Sequence, residues 1–211
     1  MSEVEMFDIF NEEMIRMGTE SRVKVHAKGL WHQTFHCWIV NHSTSGGPSL
    51  LLQLRHKDKD KDTYPNLLDT SCAGHLQSGE TVEDGVRELR EELGITLPFH
   101  ELIPCGMVAE EDIISDQCID REFNHIFIHE CDKPLEQYDF QTSEISGLFY
   151  INLKEFQSLH RGDIDYIRTE GIVLDEVSQS VNSVTNQFHI HDFTPMSSKY
   201  VEVLFRRIEC L

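Results

Sequence analysis

Apolar positions along the chain alternate between two periods. Thr34 to Val40 reads Thr-Phe-His-Cys-Trp-Ile-Val, a run of β-branched and aromatic residues that predicts a strand. Asn41 to Pro48 carries turn chemistry in Ser-Thr-Ser-Gly-Gly-Pro, and Ser49 to Arg55 reads as the returning strand. An extended segment is expected near Leu67 to Ala73. The period then changes: Val82, Val86, Leu89 and Leu93 recur at helical spacing. Thr81 is placed to cap that helix, with Asp84 three residues on as a weaker capping box, and Gly94 is a natural stop. Leu102 to Glu110, Glu122 to Glu130 and Gly147 to Ile151 read as further strands, and Asn152 to His160 as a short helix. In the tail from Pro195 to Leu211, Tyr200, Val201, Leu204, Phe205 and Ile208 return to helical intervals. Met6 to Met17 fits either a helix or two short strands around Asn11-Glu12-Glu13. The sum is one α+β domain, a mixed β-sheet with helices on both sides. The alternating Lys57 to Asp62 run reads as an exposed loop.

The polar face of the Val82–Leu93 helix is unusual. Six carboxylates, Glu80, Glu83, Asp84, Glu88, Glu91 and Glu92, fall within thirteen residues. Residues three and four apart are neighbours on a helix, so Asp84, Glu88, Glu91 and Glu92 gather on one side. A merely soluble face would set a cation four residues after Glu88, yet Glu92 stands there, and like charges at that spacing cost a few tenths of a kcal/mol. A hard divalent cation removes the penalty, because Mg²⁺ takes carboxylate oxygens and shares them with substrate phosphates.

Composition narrows the partners. A chain of 211 residues with 39% hydrophobic content can bury a substantial core. The formal charge of −19 argues against unaided nucleic-acid or anionic-membrane binding, since both need cations on the protein. It allows a phosphorylated substrate if metal ions reverse the local charge. No apolar run approaches the roughly 18 residues of a membrane span, and the acidic Met-Ser-Glu-Val-Glu-Met start lacks a secretory pattern, so the cytoplasm is expected. Cys37, Cys72, Cys105, Cys118, Cys131 and Cys210 form no CxxC pair and read as reduced structural thiols. Among the histidines, His32 and His36 share a face if they lie on a strand, as do His189 and His191 if extended. These pairs read as surface or core residues, not as a zinc site.

Between Gly74 and Ile95 the chain resembles the Nudix hydrolases. Gly74, Glu80 and Arg87-Glu88-Leu89-Arg90-Glu91-Glu92-Leu93-Gly94-Ile95 match their box, except that six residues instead of seven separate Glu80 from Arg87. One residue is about 100° of helix, so Glu80 keeps its bearing only if the preceding loop absorbs the shift. The resemblance implies a Nudix-type sheet between helices in one domain over 1–211. Within it, 1–30 is an N-terminal hairpin, 31–160 the core, and 161–211 an extension with a terminal helix. It also implies Mg²⁺ or Mn²⁺ held by Glu88, Glu91, Glu92 and the Gly74 carbonyl. Glu80, Arg87 and Gly94 are then structural parts of the box, with Arg87 able to hold Glu91 or Glu83. The base is sought among Glu91, Glu92, Glu110, Glu111, Asp120 and Glu122, of which Glu91, Glu92 and Glu122 are taken as catalytic. Arg55 and His75 are candidate substrate contacts, and Trp31, Phe35, Tyr64 and Phe149 are aromatics able to stack a base. The expected substrate is a small organic diphosphate, such as a nucleotide. Homodimerisation is left open.

A wider resemblance points to a Nudix branch similar to isopentenyl-diphosphate isomerase. It rests on Gly29-Leu30-Trp31-His32-Gln33-Thr34-Phe35-His36, Leu51 to Arg55, Lys61 to Pro65, Ala73-Gly74-His75, Asp120 to Phe123 and Glu144-Ile145. The isomerase holds a metal with histidines and carboxylates, where His75 matches by its Gly-His context and His32 and Glu122 match approximately. Its cysteine lies two residues before the histidine, and here that position is Ala73. Cys72 is one place early and should face the other side of a strand. Hydrolysis is favoured over isomerisation, and a module that binds without hydrolysing remains the third option.

Overall fold

Residues 4–57 and 63–211 are described by the structure, a computed structural model. The reading of the Lys-Asp run therefore lies, beyond Lys57, outside the described residues. In chain order, β1 (Met6–Phe10) and β2 (Arg16–Ser21) pair as a separate hairpin, which decides the ambiguous first segment in favour of strands. Helix α1 (Arg22–Lys28) follows, then β3 (His32–Asn41), β4 (Ser49–Arg55), β5 (Leu68–Asp69) and β6 (Cys72–His75). The acidic helix is α2 (Arg87–Leu93). Beyond it come β7 (Ile103–Ser115), β8 (Cys118–Glu130), β9 (Ile145–Asn152), α3 (Leu153–Arg161), β10 (Ile167–Asp175), β11 (Ser180–Phe188) and α4 (Ser198–Ile208).

Among the described residues, nine strands form one sheet in the order β11-β10-β9-β4-β3-β8-β7, with β5 added to β4 and β6 to β3. The β3–β8 pair is parallel and the rest are antiparallel. Alternation along β3 sets the layers. Phe35, Cys37 and Ile39 pack on one face with Leu89 and Leu93 of α2. Trp38 and Val40 pack on the other with Phe156 and Leu159 of α3 and Tyr200, Leu204 and Ile208 of α4. The expected mixed α+β sheet with helices on both sides is what folds.

Several elements depart from the sequence reading. β7 and β8 run on past their apolar stretches into a long hairpin, pairing Glu111 with Arg121 and Asp112 with Asp120. Charged residues there hide the period of two. The β10–β11 hairpin was not foreseen, since β11 is a largely exposed polar edge strand, Ser-Val-Asn-Ser-Val-Thr-Asn-Gln-Phe. Helix α1, seven residues long, was also missed. His189 caps a short 3-10 turn, Ile190–Asp192, that contains His191, so the pair does not lie on an extended strand, and their rings stack at 5.4 Å.

The start of α2 explains how the short box is accommodated. Asp84–Val86 forms a 3-10 turn before α2 begins. A 3-10 turn winds about 120° per residue against 100° in an α-helix, so three residues recover roughly 60° of the missing rotation. Thr81 donates to Asp84 Oδ2 from its backbone N–H (2.8 Å) and its hydroxyl (2.7 Å), half of the expected capping box. Gly94 ends α2 in the left-handed region at φ 65°.

Candidate active site

Arg87 organises the acidic helix. Its Nε and Nη2 donate to the two oxygens of Glu80 at 2.8 and 3.0 Å, and Nη2 also donates to the His75 carbonyl at 3.0 Å. Nη1 reaches Glu88 Oε1 at 2.5 Å and Glu91 Oε2 at 3.2 Å. Glu91 is therefore an Arg87 partner and Glu83 is not. Glu80 is not displaced by the missing residue, because the overwound turn keeps it on the guanidinium. That contact holds its carboxyl below the usual range.

Pairing of β6 with β3 brings Gly74 against this face. A Cβ on Gly74 would lie 2.1 Å from the Glu88 carboxyl carbon, so only glycine lets the carboxylate approach the loop backbone. Glu92 is 5% exposed and accepts from the Ala73 N–H at 3.2 Å. Asp84, engaged with Thr81, does not join Glu88, Glu91 and Glu92 in lining the cleft.

The cleft has a volume of about 1240 Å³ and also takes in Arg55, Glu110, Glu111, Asp120 and Glu122. Carboxylates crowd it. Burial, reinforced by Glu91 and opposed by Arg87, pushes Glu88 up to about 7. Burial and then Glu110 push Glu122 up to about 8. Arg55 faces the cleft paired with Asp69, so the cation predicted for a phosphate is already bound to a carboxylate. Of the aromatics, Phe35 and Phe149 are wholly buried in the core, and Trp31 stacks on Phe123 at 4.8 Å. Tyr64 alone of these four lines the cleft, donating to Asp112.

A second constellation adjoins the box. Ligand atoms of His26, His32, His75 and Asp120 all lie within 4.8 Å of one another. His32 Nε2 is 3.6 Å from Asp120 Oδ1 and 3.7 Å from Glu122 Oε1, and His75 Nε2 is 3.4 Å from Glu122 Oε1. Phe7 fixes the rings by stacking on His75 at 4.7 Å and His32 at 5.4 Å. His32 is wholly buried, its Nδ1 meets the Leu30 carbonyl at 3.0 Å, and its Nε2 has no hydrogen-bond partner. Burial, then His75, lowers its pKa well below the ordinary value. A neutral imidazole whose Nδ1 is tied to a carbonyl is in the form that ligates metal through Nε2. The residues fit a divalent ion of the imidazole-preferring kind.

His75, expected as a substrate contact, thus turns its ring toward this cluster. His32 and His36 do not act together: His36 Nδ1 meets the Tyr200 hydroxyl at 2.8 Å. His26 was missed because it rides on α1; the available signal was Gly29, whose φ of 58° closes that helix and turns the chain back to His32. Cys72 is wholly buried among the residues under α2, whereas Ala73 lines the cleft, as strand alternation requires.

Comparison with known proteins gives the family. The family model for the NUDIX domain matches residues 30–169. An uncharacterized Nudix hydrolase of Clostridium acetobutylicum is 39% identical over 208 residues, covering 98% of each chain. The isopentenyl-diphosphate delta-isomerase of Serratia proteamaculans is 31% identical over 125 residues, 59% of this chain and 65% of that one. The crystal structure of DR0079 from Deinococcus radiodurans superposes with a TM-score of 0.54 at 23% identity, covering 75% of this chain and 89% of that chain, a likeness of fold. By domain match, by full-length similarity and by the box carried on α2, the chain belongs to the Nudix hydrolases.

Proposed function

We propose that the protein hydrolyses the phosphoanhydride bond of a small organic diphosphate with Mg²⁺ or Mn²⁺ held by Glu88, Glu91, Glu92 and the Gly74 carbonyl. The observation that carries this reading is the burial of Glu88 against Gly74 beside Glu91 and Glu92, with one guanidinium shared between Glu88 and Glu91. Carboxylates at that density ionise together only with a further cation. When bound, the ion supplies neutralisation of phosphoryl charge and lowers the pKa of water. Arg87 fixes the ligand carboxylates before the ion arrives, through Glu80 on one side and Glu88 and Glu91 on the other. Glu122 stands where the box meets the histidine cluster and is placed to accept a proton from the attacking water. The cluster of His26, His32, His75 and Asp120 offers a place for a second divalent ion beside it.

The isomerase reading has the histidine cluster in its favour and Ala73 against it, since a methyl group transfers no proton. Product analysis after incubation with nucleoside diphosphates, sugar nucleotides, coenzyme A and isopentenyl diphosphate, with Mg²⁺ or Mn²⁺, tests the proposal. Phosphate or phosphomonoester release supports it; isopentenyl isomerisation, or binding without turnover, overturns it.

A further inference from the structure

Thr194, Pro195, Met196, Ser197 and Tyr200 lie beyond the stretch matched to the family domain, yet they build one wall of the cleft. The wall is firmly seated. Thr194 N–H donates to the Leu68 carbonyl at 2.8 Å and its hydroxyl to Asp69 Oδ1 at 2.9 Å. Ser197 N–H donates to Glu110 Oε1 at 2.8 Å. The buried Tyr200 hydroxyl accepts from Trp38 Nε1 at 3.0 Å and meets His36 at 2.8 Å. β5, β7 and β3 thus all hold it. The two carboxylates at its base are engaged inward, Asp69 by Arg55 and the Thr70 N–H, and Glu110 by Asn124 and Ser197. Facing the cleft are Pro195 and Met196, the latter half-buried against the core.

Size and register connect this wall to the reacting end. A cleft of about 1240 Å³ exceeds the roughly 300–1,000 Å³ of ordinary small-molecule sites, so a diphosphate at Glu88 and Glu92 fills only part of it. Ala73, whose N–H contacts Glu92, pairs with His36, and His36 touches Tyr200. A molecule extending from the box across Ala73 therefore passes His36 toward the wall formed by Tyr200 and the Thr194–Ser197 segment. His36 is kept neutral there, burial lowering its pKa to about 4.

We propose that Thr194–Ser197 is the subsite for the organic half of the substrate and that Met196 determines specificity there. This rests on the hydrolase reading above. The group it receives is uncharged, with an apolar face for Met196 and Pro195 and hydroxyls for the polar edge, as in a glycosyl or ribosyl unit. Asp69 and Glu110 disfavour a further phosphate or carboxylate at that end.

The test compares wild type, Met196→Ala and Met196→Phe on a panel of organic diphosphates: the monoesters ADP and isopentenyl diphosphate, the diester UDP-glucose, and phosphoribosyl diphosphate, which carries a further phosphate. Binding of the same panel in Ca²⁺ by calorimetry gives the rank order without turnover. The expected result is a change of about tenfold in relative kcat/KM or Kd between panel members, carried by KM, the scale at which one apolar contact discriminates. Mg²⁺ affinity stays at the wild-type value. Equal effects on every member, or none, overturn the subsite. If wild type neither binds nor hydrolyses any member, the hydrolase reading itself fails, and the subsite with it.

Discussion

Arg87 donates to Glu80, Glu88, Glu91 and the His75 carbonyl, so at the level of single residues it links the box to the histidine cluster. Two substitutions separate ligand from support. Glu92→Gln keeps the shape that accepts from Ala73 N–H but loses the charge. It is expected to cut kcat by about a hundredfold or more, the several kcal/mol that a bound ion contributes, with little change in melting temperature. Glu80→Gln is expected to be milder, about tenfold in metal affinity, because its carboxylate holds Arg87 and the Gln77 N–H and reaches the ion's ligands only through Arg87. Steady-state kinetics with calorimetric Mg²⁺ titration checks both; equal losses would place Glu80 among the ligands. Incubation with isopentenyl diphosphate should yield no dimethylallyl isomer, because Cys72 is buried in the core and Ala73 holds the cleft position. Isomer formation abolished by Cys72→Ser would contradict that. The box residues were legible because they are contiguous and their spacing is fixed by one helix. The histidine cluster was legible only in part: His26 comes from an unforeseen helix, and no local pattern ties it to Asp120 almost a hundred residues away.

For the elements, the 3-10 turn Asp84–Val86 is the decisive local structure. One residue added after Val86 brings the spacing from Glu80 to Arg87 to the seven of the usual box. The structure argues against any gain, since Glu80 already meets Arg87 through both oxygens. An alanine inserted there rotates Arg87 by about 100° relative to Glu80, and Mg²⁺ affinity should fall by about tenfold or more. Stronger ion binding by the insertion variant in calorimetry would show that the wild-type register is defective. Gly85 packs under Phe35, where a Cβ would sit 2.6 Å from the ring-bearing carbon. Gly85→Ala should therefore destabilise by about 1–3 kcal/mol in denaturant unfolding. Strands and helices with clean apolar periods were read close to their ends: β4 as predicted, and α3 and α4 within a few residues. The outer half of the β7–β8 hairpin escaped because its residues face water or the cleft, and β11 because it is a largely exposed polar edge. β10 buries Ile167, Ile172 and Leu174, but Gly171 and Ile172 are buried side by side, so its sequence shows no regular alternation.

Across the whole molecule, the unbalanced charge has a pH signature. Glu88 and Glu122 have folded-state pKa values raised to about 7 and about 8, so each favours the folded state most when protonated. That contribution is complete below their unfolded values and is lost as pH rises through the folded ones. His32 and His36, whose pKa values are lowered, act in the opposite sense, but below about 6.5, the unfolded value. Between about pH 6.5 and 8 the metal-free protein should therefore lose on the order of 1 kcal/mol, and added Mg²⁺ or Mn²⁺ should raise its melting temperature more at pH 8 than at pH 6.5. A flat profile, or equal stabilisation at both, would remove these carboxyls from the ion's site. The central claim, that acidic residues on one helix and one loop make a metal-dependent phosphoanhydride hydrolase, is tested most directly by stripping the protein with chelator and measuring phosphate release from organic diphosphates as Mg²⁺ or Mn²⁺ is returned. The prediction is no turnover without the ion, recovery on its return, and no recovery in Glu92→Gln. Undiminished turnover in excess chelator would contradict it.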